Sequence, residues 1–127
     1  MTPPARAWRR RLGRQARRRG HTAEWLAAAW LLLKGYQILG FRLKAAGGEI
    51  DILARKGSVL ALVEVKQRSS HDAALEALGP DQRRRLLSAG QFLVRGRRSL
   101  QGLDLRLDVM SVVPLQWPRH YRNLDAG

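Results

Sequence analysis

The sequence predicts an α/β fold, a mixed β-sheet flanked by helices, and three observations lead there. An Ala- and Leu-rich segment over residues 23–34 has helical character. Two strand-like runs within 49–66 meet at Gly57-Ser58, and a second helical pattern over 81–94 precedes an alternating run over 103–113. The order helix, strand, hairpin, helix, strand implies a mixed sheet with helices on its faces.

Residues 1–20 hold eight Arg and no acidic residue, so they supply +8 of the formal +14 and leave +6 to the body. Such blocks are commonly disordered and bind polyanions electrostatically, while Trp8, Leu12 and Ala16 at four-residue spacing permit a helix on contact. The expected division is a basic arm over 1–20 and one folded domain over 21–127. Thr22 is an N-cap candidate for a helix over 23–34 that stops at Gly35, with Leu26, Ala29, Trp30 and Leu33 as its core stripe. Glu24 lies near the helix N-terminus, where a carboxylate offsets the dipole. Residues 36–43 read as the first strand, and Ala45-Ala46-Gly47-Gly48 as its connection to the next.

The hairpin comes next. Apolar and polar residues alternate up to Lys56, β-branched residues return at Val59, and Gly57 supplies positive φ for a two-residue turn. If Lys56 pairs with Val59, then Leu53 faces Leu62, Asp51 faces Glu64 and Glu49 faces Lys66. The opposite face is Ile50, Ile52, Ala54, Ala61, Val63 and Val65, wholly apolar and expected to be buried. Residues 69–79 contain turn formers and no decisive periodicity. Pro80 suits the first turn of a helix whose apolar side is Leu86, Leu87, Gly90, Phe92, Leu93 and Val94. After the strand over 103–113, Pro114 and Pro118 bracket an irregular piece in which Trp117 and Tyr121 cover the core or touch a partner.

Composition bounds the chemistry. With no Cys, disulfides, zinc-thiolate sites and thiol nucleophiles are excluded, and His21, His71 and His120 lack metal-ligand spacing and read as surface or loop residues. A net charge of +14 points to a polyanionic partner, nucleic acid first, although heavy Arg usage can also reflect the base composition of the source genome. The longest apolar run, 25–33, is far below the roughly 20 residues needed to span a bilayer, so no membrane partner is expected. An Arg-rich, acid-free start also resembles a transit peptide or twin-arginine signal. The following segment begins with Glu24 and reads as a folded helix, which favours a cytoplasmic protein.

Directly opposed Cβ atoms in a sheet lie roughly 4.5–5.5 Å apart, so Asp51 and Glu64 bring together two carboxylates that destabilise each other unless a cation lies between them. Mg²⁺ takes hard oxygen ligands and typically one or two carboxylates. Lys66 on the same face can orient or deprotonate a water, or steady charge developing on phosphorus. The same spacing is equally met by a solvated polar face, with Glu49–Lys66 a surface pair worth about 0–1 kcal/mol. Of the 24 basic residues only Lys34, Lys44, Lys56 and Lys66 are Lys, the type whose pKa shifts far enough for proton transfer.

Asp51 followed, after an intervening strand and turn, by Glu64-Val65-Lys66 resembles the Asp…Glu-x-Lys core of the PD-(D/E)xK nuclease superfamily. Gly48-Glu49-Ile50-Asp51 with Val63-Glu64-Val65-Lys66 is similar to the bacterial YraN family within it, and the similarity covers about residues 20–113. Arg106-Leu107-Asp108-Val109 matches that family's Arg-Phe-Asp-Val with Leu for Phe, and Asp108 is assigned a structural role. Ala23 replaces the Gly usual before Glu24, Gly40 a frequent Asn, and Gln82 a common Lys.

The resemblance implies a restriction-endonuclease-like fold and metal-dependent phosphodiester hydrolysis. Asp51, Glu64 and the Val65 backbone carbonyl would hold Mg²⁺ (or Mn²⁺), Lys66 would position water, and Glu24 would be a third acidic group. Arg9, Arg10, Arg11, Arg68, Arg83, Arg84 and Arg85 are expected to contact nucleic acid, DNA rather than RNA, through its backbone. A non-catalytic nucleic-acid-binding module of the same fold accounts for the charge equally well, and a ribosome- or repair-complex adaptor is a third reading.

Overall fold

In the computed structural model, which describes residues 20–124, helix α1 (Gly20–Leu33) precedes a three-strand meander, β1 (Gln37–Ala45), β2 (Gly48–Lys56) and β3 (Val59–Gln67). Helices α2 (His71–Glu76) and α3 (Pro80–Gly96) and a 3₁₀ turn at Arg98–Leu100 carry the chain to β4 (Asp104–Val112) and a short β5 (Arg119–Tyr121). The sheet order is β1-β2-β3-β4-β5, with β3 and β4 parallel and the other pairs antiparallel. This is the expected mixed sheet flanked by helices, in a restriction-endonuclease-like arrangement. Arg9, Arg10 and Arg11, and Trp8, Leu12 and Ala16, lie outside the described residues. Among the described residues no helix is long and apolar enough to cross a membrane.

The β2–β3 register is the one the turn dictates. Lys56 pairs with Val59, Leu53 with Leu62 and Ile52 with Val63, around Gly57 at φ +60°. Each sheet face carries its own core. On one, Ala23, Ala27, Ala28 and Leu31 of α1 pack against Ile52, Ala54, Ala61, Val63 and Met110. On the other, Leu86, Ala89 and Leu93 of α3 pack against Leu53, Leu60, Leu62, Leu107 and Val109.

Three expectations are corrected, and one stretch left open is filled. Ile50, placed by strict alternation with Ile52, lies in the opposite core beside Leu43. β1 turns over at Arg42, whose φ is +49°, so Phe41 and Leu43 also end on opposite faces. The stripe Leu26, Ala29, Trp30, Leu33 is not the buried side of α1: Leu26 is 49% exposed and Leu33 82%. Apolar residues surround this helix, so their spacing does not choose a face, and the smaller Ala face lets it approach the sheet. The larger side chains instead line an apolar groove of about 380 Å³ with Leu115 and Trp117.

The histidines also depart from a surface reading. His21 and His71 are buried, His71 Nδ1 lying 2.7 Å from the fully buried Ser111 Oγ, and the His120 side chain is 1% exposed. Finally, residues 69–79 contain α2, capped by Ser70 Oγ, which accepts from the Ala73 N–H at 3.1 Å.

The start of β2 passes so close to α3 that a Cβ on Gly48 would lie 2.8 Å from the Arg85 carbonyl oxygen and 3.4 Å from Ala89 Cβ. Because the obstacle is backbone, Gly48→Ala is expected to cost about 1–3 kcal/mol and lower Tm by several degrees. Gly96→Ala, with nothing within 4 Å of the added carbon, should leave Tm unchanged or slightly raised. Thermal unfolding of the two variants followed by circular dichroism checks the contrast.

Candidate functional site

The β2–β3 ladder ends at Ile52↔Val63. One step further, the Asp51 side chain enters the space between the strands and its Oδ2 accepts the Val65 N–H at 2.8 Å. A side chain thus replaces a main-chain acceptor, satisfying the strand while keeping a carboxylate inside the sheet's edge.

Glu64, on the α3 side of β3, is 4% exposed. Its Oε2 accepts from Gln82 Nε2 of α3 at 2.6 Å, and its carboxyl lies within hydrogen-bonding reach of Asp51. Burial, then the Asp51 hydrogen bond and the Asp51 charge, push the Glu64 carboxyl up to about 9, with Glu49 adding to the rise and Lys66 opposing it. At neutral pH Glu64 therefore keeps its proton.

Glu24 is held differently. Its carboxylate is paired with Arg42, whose Nη1 also lies 2.9 Å from His21 Nδ1. Burial raises the Glu24 carboxyl and Arg42 lowers it, while Asp51 and Glu49 raise it further. Glu24 thus feels the charge of Asp51 without joining the Asp51–Glu64 pair. Among the described residues no three His, Asp or Glu side chains are grouped to hold a metal ion. Asp51 and Glu64 come together, Lys66 is half-buried on the same strand as Glu64, and Glu24 belongs to an ion pair at the margin.

Two participants escaped the sequence reading of the site. Gln82 reaches Glu64 from α3, at a position already marked by its departure from the family's Lys. Arg42 neutralises Glu24 from β1. The expected arginine contacts divide: Arg83 donates to the Leu78 and Leu124 carbonyls, Arg84 is paired with Asp81, and Arg68 donates to the Gln67 carbonyl at 2.8 Å. Arg68, Arg84 and Arg85 are exposed.

The hard-oxygen chemistry of Asp51 and Glu64 fits a divalent cation such as Mg²⁺, which satisfies itself with one or two carboxylates and would replace the Glu64 proton as the neutralising charge. The Val65 backbone carbonyl is adjacent in sequence to both Glu64 and Lys66 and can supply a further oxygen.

A pH dependence of stability follows. With the folded Glu64 carboxyl near 9 and its ordinary value near 4.5, the folded chain holds a proton that the unfolded chain has released between those limits. Stability should be fullest below about pH 4.5 as far as this group is concerned, and fall as pH rises toward 9, by at most about 1.4 kcal/mol per unit. Glu64→Gln mimics the protonated group and removes this slope. In metal-free buffer its Tm should exceed that of the parent by a margin that widens from pH 5 to 9, measured by scanning calorimetry.

The family model described as "Uncharacterised protein family UPF0102" matches residues 23–112, which span α1 through the end of β4. A UPF0102 protein of Caulobacter vibrioides strain NA1000 is 50% identical over 115 residues, covering 91% of this chain and 92% of its own. One of Maricaulis maris strain MCS10 is 48% identical over 112 residues, covering 88% of each chain. One of Mesorhizobium japonicum is 44% identical over 113 residues, covering 89% of this chain and 90% of its own. With the family match extending over the whole sheet except β5, this chain belongs to the UPF0102, or YraN, family.

Proposed function

We propose that the protein is a Mg²⁺-dependent nuclease hydrolysing phosphodiester bonds, with DNA favoured over RNA as substrate. The observation that carries this reading is the Asp51–Glu64 carboxyl pair, with Glu64 4% exposed and pushed up to about 9, beside Lys66. A protein that merely bound phosphates would gain nothing from burying negative charge where phosphate must approach.

Asp51 and Glu64, with the Val65 carbonyl, would hold the cation, which when bound polarises the phosphate and lowers the pKa of water. The chain's own residues do the rest. Asp51 stays anchored on the Val65 N–H, so its carboxylate is fixed before any ligand arrives. Gln82 fixes the rotation of Glu64 by donating to one oxygen and leaves the other for Asp51 or a cation. Lys66 orients the attacking water or receives its proton, and its positive charge favours the more anionic transition state. Arg85 and Arg68 face solvent and supply backbone contacts, which give affinity without base choice. Glu24 adds negative charge at the margin, moderated by Arg42.

Isothermal calorimetry tests the site. Mg²⁺ should bind the intact chain with release of about one proton, more tightly at pH 8 than at pH 6, and should not bind Glu64→Ala. Lys66→Ala removes a like charge, so it should bind Mg²⁺ no more weakly, yet cleave short duplex or branched DNA roughly 10²- to 10⁴-fold more slowly. DNA binding that is equal with and without metal in all three proteins, with no cleavage, would replace this reading by the binding module.

A further inference from the structure

On the α1 side of the sheet a second polar cluster is built around Asp108, which is fully buried. Its carboxylate accepts from Arg106 Nε at 2.9 Å, Arg106 Nη2 at 2.8 Å, His120 Nε2 at 2.7 Å and the Asn123 N–H at 3.0 Å. Burial alone would raise this group; the hydrogen bonds from His120, Arg106 and Asn123 hold it below the usual carboxylate range. Lys34 Nζ lies 2.5 Å from His120 Nδ1. An ammonium can only donate, so Nδ1 accepts and the ring proton sits on Nε2, facing Asp108.

The charge balance here is the reverse of that at Glu64. Tyr36 carries Lys56 Nζ at 5.4 Å and Arg106 Cζ at 5.8 Å from its ring centre. Lys34 is lowered by burial and by the charges of Arg122, Lys56 and Arg106, with Asp108 alone opposing. Four cations therefore meet one carboxylate. Arg106, His120, Arg122 and Asn123 line an open cleft of about 590 Å³. Asp108 takes Arg106 Nε and Nη2, leaving Nη1 for a partner in the cleft.

We propose that this cleft is a phosphate-binding site, with Arg106 and Arg122 as its main donors and Lys34 as a supporting charge. Asp108 and Tyr36 position Arg106, so the guanidinium is oriented before the ligand arrives. A tetrahedral dianion suits the set better than a carboxylate, because it accepts from several directions and offsets more than one cation. The site is independent of the nuclease reading: it uses none of Asp51, Glu64 or Lys66. The phosphate can be terminal, on a nucleotide or a strand end, or internal to a nucleic-acid backbone.

The test is titration of the ¹⁵N-labelled full chain by NMR, with inorganic phosphate, a nucleoside 5′-monophosphate and a short oligonucleotide lacking terminal phosphates. Saturable shifts are expected at the Arg122 and Asn123 amides and the Arg106 Nε–H. Arg122→Glu should weaken them by about tenfold or more. Arg119→Glu, exposed on strand β5 but outside the cleft lining, should leave them within twofold, as should Glu64→Gln. Saturation by the monophosphate but not the oligonucleotide assigns a terminal phosphate, and the converse a backbone phosphate; both sustain the site. Shifts that fail to saturate, or that weaken equally in Arg119→Glu and Arg122→Glu, would reduce the effect to general screening and overturn the proposal.

Discussion

The geometry of the candidate site depends on one hydrogen bond, from the Val65 N–H to the carboxylate of Asp51. A ladder continued by main chain alone would close β2 onto β3 through Glu49 and Lys66, and both acidic groups would be displayed on a flat polar face. Because the side chain takes the acceptor's place, Asp51 is drawn into the sheet edge, and the pairing ends at Ile52 and Val63. The distortion is shared by the neighbouring strand. Arg42 adopts φ +49°, and Ile50 and Leu43 roll to the α3 side to close that core. Glu64 is then covered; among the described residues Gln82 donates to its carboxyl, Asp51 crowds it and Lys66 opposes the crowding.

Two buried carboxylates on adjacent strands show what decides ionisation in one fold. Asp108 stands opposite Val63 in the parallel β3–β4 register, one residue from the partner of Glu64. Both are removed from water, and burial raises both. Asp108 receives four hydrogen bonds, two of them from one guanidinium, and stays ionised. Glu64 receives one amide donor and faces another acid, and so keeps a proton. The first carboxylate is fully answered by donors on β4, on β5 and just beyond β5, while the cations around it stay in excess. The second has an unmet need for positive charge, which marks a place where a ligand would complete the structure.

Much of this was legible in the chain. The Gly57-Ser58 turn determined the β2–β3 pairing from Lys56–Val59 to Ile52–Val63, because a two-residue loop leaves no freedom of register, while the expected pairs Asp51–Glu64 and Glu49–Lys66 lie beyond the end of the ladder. The proximity of Asp51 and Glu64 followed from that pairing. What alternation could not reveal was the departure at Ile50, which depends on Asp51 entering the strand gap and on a left-handed residue that sequence does not mark. The buried face of α1 was illegible for another reason: with Leu, Trp and Ala on all sides, the choice rests on how closely the helix can approach the sheet. Helix α2 and strand β5 are six and three residues long, too short for periodicity, although Ser70 was a usable cap. His21, His71 and His120 were misplaced because each is buried by a distant hydrogen-bond partner: Arg42, Ser111 and Asp108.

Part of the net charge of +14 is answered within the fold. Arg42 and Arg83 are committed to the chain's own carboxylate and carbonyls, so they strengthen the fold and contribute little to a polyanion's reception. Arg84 is different. Its pair with Asp81 is 72% and 77% exposed, and such surface pairs are worth about 0–1 kcal/mol, so a phosphate can replace Asp81 at little cost. Arg84 and Arg85 stand in the first turns of α3, the helix whose Gln82 reaches inward to Glu64. On the nuclease reading, this single helix end joins the two requirements of the reaction. Its solvent side attracts the backbone, and its inner side sets the carboxyl toward which that backbone must be drawn.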